Sequence, residues 1–251
     1  MTQYFLPIRK LREKPYSNIL CFPKPTKRQI DNRVNELKRL GITSVKFFGP
    51  VQIQGLDVLG KGYVGVVILG KKQNKIFALK IRRIDSQRNK LTDEAKLLKI
   101  ANKIGVGPQL ISSSKNFLVM EYITGTKIIN WVKDEKFSSK TLRIIIKKIL
   151  FDCFRLDQLG LDHGELSVLD KHVLVTNKKP TIIDFESSSV NRKTSNVSSA
   201  VQAILIGTGL SKIIRKKITL PKKNIIINSV RNYKKIKTED SFNELLLKLK
   251  L

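Results

Sequence analysis

Acidic side chains are scarce in this chain. Only 20 Asp and Glu stand against 49 Lys and Arg among 251 residues, a formal charge of +29. The shortage excludes one common use of abundant lysine, the ion-pair network of heat-adapted proteins, which raises Glu in parallel. Self-repulsion on this scale costs stability unless polyanions are near. The charge therefore reads either as a surface for an anionic partner or as a solvated one. Cysteine is nearly absent too. Cys21 and Cys153 are the whole complement, which excludes a disulfide framework and fits a reducing cytoplasm. The two histidines, His163 and His172, have no acids spaced to complete a zinc set. Long apolar runs are also missing: residues 144–150 are cut by Lys147 and Lys148, and nothing approaches the roughly 20 apolar residues of a membrane span. The N-terminus has no signal-peptide core, and no membrane association is expected. What is present is a globular composition, 41% hydrophobic and 27% charged, enough for one domain or a two-lobed one.

The pattern changes along the chain. Residues 1 to about 45 read as an N-terminal extension with short extended pieces at 4–8 and 19–23. One helix follows, capped by Thr26 and Gln29, striped by Ile30, Val34, Leu37 and Leu40, and stopped by Gly41. It is expected to pack on the small lobe; a DNA-reading helix would need a helix-turn-helix partner, which is lacking. From Ser44 the alternation is that of strands, with a bend at Gly49-Pro50. A helix is expected over 93–103, strands over 109–112 and 117–123, and a long helix from Ser138/Ser139 to Leu159 with Gly160 as its stop. Beyond a helix at 196–206, residues 212–237 are strongly basic, and Ser241 with Glu244 has capping-box spacing before a short terminal helix.

Chemistry concentrates in a few places. Gly60, Gly62 and Gly65 form G-x-G-x-x-G, whose glycines let backbone N–H groups approach phosphates. A dinucleotide-binding loop would open a helix, whereas Val64, Val66, Val67 and Ile68 favour a strand. A plain glycine-bearing hairpin is the bland alternative. Lys80 ends the apolar strand Phe77-Ala78-Leu79, where a lysine can pair with phosphates and with an acid of the next helix. Glu94 is the natural acid, although Asp93 is adjacent and an N-terminal acid also suits the helix dipole. Glu121 and Ile123 follow Met120 at the end of a strand, where their backbone groups would meet an adenine edge. His163-Gly164-Glu165 precedes a short strand at 173–175 and then Ile182-Ile183-Asp184. Glu165 stands where a catalytic base or positioning carboxylate is needed, Asp184 where a divalent metal bridges phosphates, and His163 would hold the loop by a hydrogen bond. Cys153 reads as core.

In this order the motifs resemble those of a short, atypical protein kinase of the archaeal type, similar to the RIO kinases and to the kinase-like subunit of the KEOPS tRNA-modification complex. The resemblance covers residues 45 to 210. It implies an α+β, two-lobed protein-kinase-like fold with a β-rich N-lobe at 46–123, a short helical C-lobe at 124–210, and a basic C-terminal segment at 211–251. It also implies ATP with Mg²⁺ or Mn²⁺ as cofactors. Three departures stand out. Glu165 replaces the usual Asp, and Phe185-Glu186 replaces Phe-Gly. The usual loop Asn has no clear counterpart: five residues on from Glu165 is Asp170, but matching the strand 173–175 makes His172 the second metal-site residue, and imidazole is a poor magnesium ligand.

The expected function is therefore ATP-dependent phosphoryl transfer to a Ser/Thr hydroxyl of a protein substrate, with Glu165, Lys80, Glu94 and Asp184 as catalytic residues. A pseudokinase or ATPase working on tRNA or ribosomal particles is the competing reading, supported by the altered loop and by the charge. A small-molecule kinase would need a helical insertion for which the C-terminal half is too short. The clustered cations from Lys212 to Lys237 suggest an RNA-facing stripe, with Tyr233 as the only interleaved ring.

Overall fold

The computed structural model describes residues 4–134, 137–207 and 209–251. The chain divides into two compact units, one made of residues 1–99 with 108–122 and the other of 100–107 with 123–251.

The first unit is built on an antiparallel sheet in the order β1(Leu6–Pro7), β2(Ser44–Lys46), β6(Gly65–Lys72), β7(Lys75–Arg82), β9(Phe117–Glu121), β8(Leu110–Ser113). The two-residue strand β5(Gly60–Lys61) also pairs with β6, and β3(Val51–Ile53) forms a small hairpin with β4(Leu56–Val58). Helices α1(Tyr16–Leu20) and α2(Lys27–Arg39) supply Ile19, Leu20, Val34 and Leu37 to one apolar cluster with Val45, Ile68, Leu79 and Val119 from the sheet. α2 opens on the expected capping box, Thr26 and Gln29 satisfying each other's backbone amides. Residues before 45 are part of this unit, with α2 packed on its sheet as expected. The reason is hydrophobic: Leu6, Leu11, Ile19 and Leu20 are fully or almost fully buried. The piece at 19–23 expected to be extended begins inside α1 instead: Ile19 and Leu20 close that helix, and both are buried in the core. Buried Arg33 ties α2 to the sheet by donating to the Leu20 carbonyl and to Asn116 Oδ1, while Asn116 donates from its backbone and side chain to Glu36.

In sequence, α3(Thr92–Asn102) crosses from the first unit into the second. The second unit is organised around α5(Ser139–Gln158), capped by the Ser138 hydroxyl and ended before Gly160 at φ +74°. Its face carries Leu142, Ile145, Ile149, Cys153 and Leu156, all buried. A three-stranded sheet orders β10(Thr126–Lys127), β11(Val173–Thr176) and β12(Lys179–Ile182). The β11–β12 turn at Asn177-Lys178 has both residues at positive φ, the geometry that matches strand twist in a two-residue hairpin. Helices α4(Ile128–Lys133), α6(Leu169–His172), α7(Asn196–Val201), α8(Leu210–Lys217), α9(Lys223–Ile236) and α10(Glu239–Lys248) complete it. α7 runs into a π-helical turn over Gln202–Ile206.

The basic C-terminal segment is helical: among the described residues after Asp184 the chain forms α7, α8, α9 and α10, all within the second unit. Tyr233 and Phe242 are essentially inaccessible to solvent, and Phe242 stacks on Phe154 of α5 at 4.5 Å between centroids. The terminal helix is capped by Thr238 rather than Ser241. The Thr238 hydroxyl accepts from the Ser241 amide, which places Glu239 and Asp240 in the first turn, where acids suit the helix dipole. Several cations of 212–237 are also absorbed structurally: Arg215 donates to the Leu205 carbonyl, Lys217 to the Asp134 carbonyl, and Lys237 to Thr194. Among the described residues no single helix is long and apolar enough to cross a membrane.

Candidate active site

The first unit holds a loop and a buried charge pair. Gly60 and Lys61 pair with Val67 and Val66, and the Gly62 amide donates to the Gly65 carbonyl at 2.8 Å, so residues 60–65 form a tight hairpin. The glycines serve different ends. A β-carbon on Gly65 would sit 2.9 Å from the Ile81 carbonyl oxygen and 3.0 Å from Lys80 Cγ, so this position must be bare for Lys80 to cross the sheet. A β-carbon at Gly60 would meet nothing within 4 Å, and one at Gly62 only the Gly65 carbonyl at 3.8 Å. The fold does not require those two to be glycine, which is what a loop shaped to let a ligand approach its backbone would show. Arg83 steadies the hairpin by donating to the Gly62 carbonyl at 3.1 Å while its other nitrogens hold Asp85.

Lys80 and Glu94 are each 4% exposed, and Lys80 Nζ lies 2.9 Å from both carboxylate oxygens of Glu94. The neighbouring Asp93 faces solvent beside Lys90. A lysine taken out of water needs its carboxylate, and breaking such a pair costs about 3–5 kcal/mol. Such a pair is weak evidence of stability, but it fixes where the ammonium points. Glu121 differs in detail from expectation. Its amide already donates to the Gln109 carbonyl at 2.8 Å, so that amide is not free for a ligand. Ile123 follows in the second unit.

The second unit holds the loop around His163. The His163 ring lies 3.1 Å from the Ile183 carbonyl through Nε2 and packs edge-on against Phe185 and His172. Burial pulls its pKa down to about 4, so the ring is neutral at pH 7. The Ile183 amide in turn donates to the His172 carbonyl at 2.9 Å. Gly164, at φ +89°, could not be another residue: a β-carbon would fall 2.6 Å from the Ser187 carbonyl oxygen. Asp184 follows β12 in the left-handed region at φ +69°, a state uncommon outside glycine that aspartate enters more readily than most residues and that clusters at functional sites.

Between Glu165 and β11 the chain makes a 3₁₀ turn (Leu166–Val168) and then α6. This winding brings His172 back to Glu165, with Nε2 3.7 Å from a carboxylate oxygen. One ligand atom from each of Glu165, His172 and Asp184 lies within 4.8 Å of the others, a spacing that suits a divalent cation. Asp170 is not in this group.

A buried network that the sequence did not announce supports the loop. Asp157, near the end of α5, accepts from the Asn196 amide, the Asn196 side chain, the Val197 amide and the Tyr233 hydroxyl. Asn196 Oδ1 then accepts the His163 amide at 2.8 Å. Asp162 likewise holds Arg192 and Ser195. The one signal in the sequence is Asp157 itself, a carboxylate at i+4 and i+8 from Cys153 and Ile149 on an otherwise apolar stripe.

The RIO domain family model matches residues 70–201. The chain belongs to the RIO domain family. The match begins in β6 and ends in α7, so it spans Lys80, Glu94, Glu165 and Asp184. RIO domains are atypical, kinase-like, ATP-binding phosphotransferase domains that work with a divalent metal, and the α+β architecture seen here agrees with that fold. An uncharacterized protein of Methanocaldococcus jannaschii is 33% identical over 120 residues, the whole of that protein and 47% of this chain.

Proposed function

We propose that this RIO protein is an ATP-dependent protein kinase that transfers the γ-phosphate to a Ser/Thr hydroxyl, using Mg²⁺ or Mn²⁺. The observation that carries the proposal is the buried Lys80–Glu94 pair beside Gly65, an expensive arrangement whose use is to aim an ammonium at nucleotide phosphates. Gly60, Gly62 and Gly65 would lend backbone amides to the phosphates, and the Glu121 carbonyl and Ile123 amide would read the adenine. Asp184 and His172 would hold the cation, which when bound neutralises charge developing on the phosphates. Glu165 would orient the acceptor hydroxyl and take its proton with one carboxylate oxygen, the other lying toward His172 and the cation. Its extra methylene relative to Asp moves the carboxylate outward.

A second reading, an ATP-binding pseudokinase or ATPase on an RNA-rich particle, is favoured by one feature of the surface. Lys193, Asn228, Arg231, Asn232, Lys234 and Lys235 line an open concavity of about 430 Å³ along α9 without a single acid. Amides and cations on one helix face suit a phosphate backbone. In both readings the protein works in the cytoplasm.

Incubation with γ-labelled ATP and Mg²⁺ or Mn²⁺, following label into protein and into free phosphate, tests the proposal. Label in protein that disappears in Lys80→Ala and Asp184→Asn supports it. Free phosphate alone moves the assignment to an ATPase, and no thermal stabilisation by millimolar ATP removes nucleotide chemistry altogether.

A further inference from the structure

We infer that Glu165, His172 and Asp184 form a site selective for a first-row transition divalent such as Mn²⁺ over Mg²⁺, filled without nucleotide. The inference rests on the metal-dependent reading above but concerns the identity of the ion.

His172 carries the argument. It is 8% exposed, and among the described residues its imidazole has no hydrogen-bond partner: Nδ1 is fully buried and unsatisfied, and Nε2 stands 3.7 Å from Glu165 Oε2, beyond hydrogen-bond reach. A buried imidazole ordinarily finds a partner for at least one nitrogen. Here the ring faces two carboxylates instead. Donors about 2.1 Å from a shared cation stand roughly 3 to 4 Å apart. The Glu165–His172 separation falls inside that range, and the whole trio lies within 4.8 Å.

The donor set decides the metal. Mg²⁺ is hard, holds its waters and takes oxygen ligands. Imidazole is a borderline donor that suits Mn²⁺ less than later metals but any of them better than Mg²⁺. The position comes from the winding of residues 166–172, which carries the histidine back to Glu165. His163 packs on the same ring and limits its rotation, so the imidazole is preorganised.

The test uses the full chain and Mn²⁺ alone. Binding is followed by loss of the free-ion electron paramagnetic resonance signal, and pulsed methods detect nitrogen coupled to the bound ion. We expect Mn²⁺ binding without ATP, nitrogen coupling, and little displacement by a tenfold excess of Mg²⁺. His172→Asn should remove the coupling and weaken Mn²⁺ by roughly tenfold or more while Mg²⁺ changes little. Glu165→Gln should weaken both ions and keep the coupling, and it serves as the control should the His172 variant not fold. Mn²⁺ bound without nitrogen coupling, or Mg²⁺ competing on equal terms, overturns the inference. A nitrogen-coupled Mn²⁺ site in a protein that shows no ATP binding would leave the inference standing and sink the kinase reading instead.

Discussion

Tyr233→Phe removes a single oxygen from the middle of the second unit. The hydroxyl donates to Asp157 Oδ2 at 2.9 Å from a side chain with no solvent exposure. Burial first, and the Asp157 charge second, hold the phenol protonated well above its ordinary pKa, so it is a donor at every working pH. A hydrogen bond to an ionised group is worth about 1.5–3 kcal/mol. Asp157 would keep two good donors on Oδ1 and the longer Val197 amide bond, 3.3 Å, on Oδ2. The ring would still fill its place beside Phe154 and Phe242, so no cavity term is added. The expected loss is therefore about 2 kcal/mol, or roughly 4–8 °C in Tm for a protein of this size. The assay is favourable because Trp131, the only tryptophan, is buried in this same unit. Its fluorescence in urea reports the unfolding of that unit. Because Asn196 joins Asp157 to the His163 amide, ATP turnover should fall in parallel. An unchanged urea midpoint would refute the claim that α9 is a strut of the second unit and return it to the status of a basic tail.

Two further outcomes are expected. Burial raises the Asp152 carboxyl to about 6, so its share of stability is present at low pH and lost as pH rises from 3.8 through 6, whereas His163, lowered to about 4, loses stability as pH falls from 6.5 through 4. The two slopes oppose each other in the wild type, so Asp152→Asn should gain about 3 kcal/mol at pH 7 and expose a loss of about 3 kcal/mol between pH 6.5 and 4, read as urea midpoints; an unchanged pH slope refutes the pairing. Changing Arg231, Lys234 and Lys235 together to Ala should weaken binding to structured RNA and reduce the salt slope by roughly 0.9 for each phosphate no longer neutralised, as on duplex DNA, while Arg215, Lys216 and Lys217 changed to Ala should matter less; equal effects of the two sets would deny the concavity its role.

The relation between sequence and structure is clearest at particular elements. Thr26 with Gln29, Ser138 and Gly160 are local devices, needing only neighbours three or four residues away, so their helices were legible without a fold. Glycines followed by β-branched residues likewise implied a hairpin, and strand alternation put Lys80 at the end of a buried strand with an acid fourteen residues on. Those signals were enough for the α+β class and the family. Three things were not local. Ile19 and Leu20 wind into the end of α1 because they are wanted by a core assembled from α2 and the sheet. The cations of 212–237 cannot be sorted by sequence into those that cap carbonyls and those that face water, because the carbonyls belong to residues 10 to more than 80 positions away. The environment of His172 depends on the winding of residues 166–172, which returns it to Glu165. Composition and periodicity decide which surface is buried, since hydrophobic transfer is nearly independent of partner. Only the tertiary arrangement decides which polar atoms meet, because hydrogen bonds and metal ligation are settled within a few tenths of an ångström.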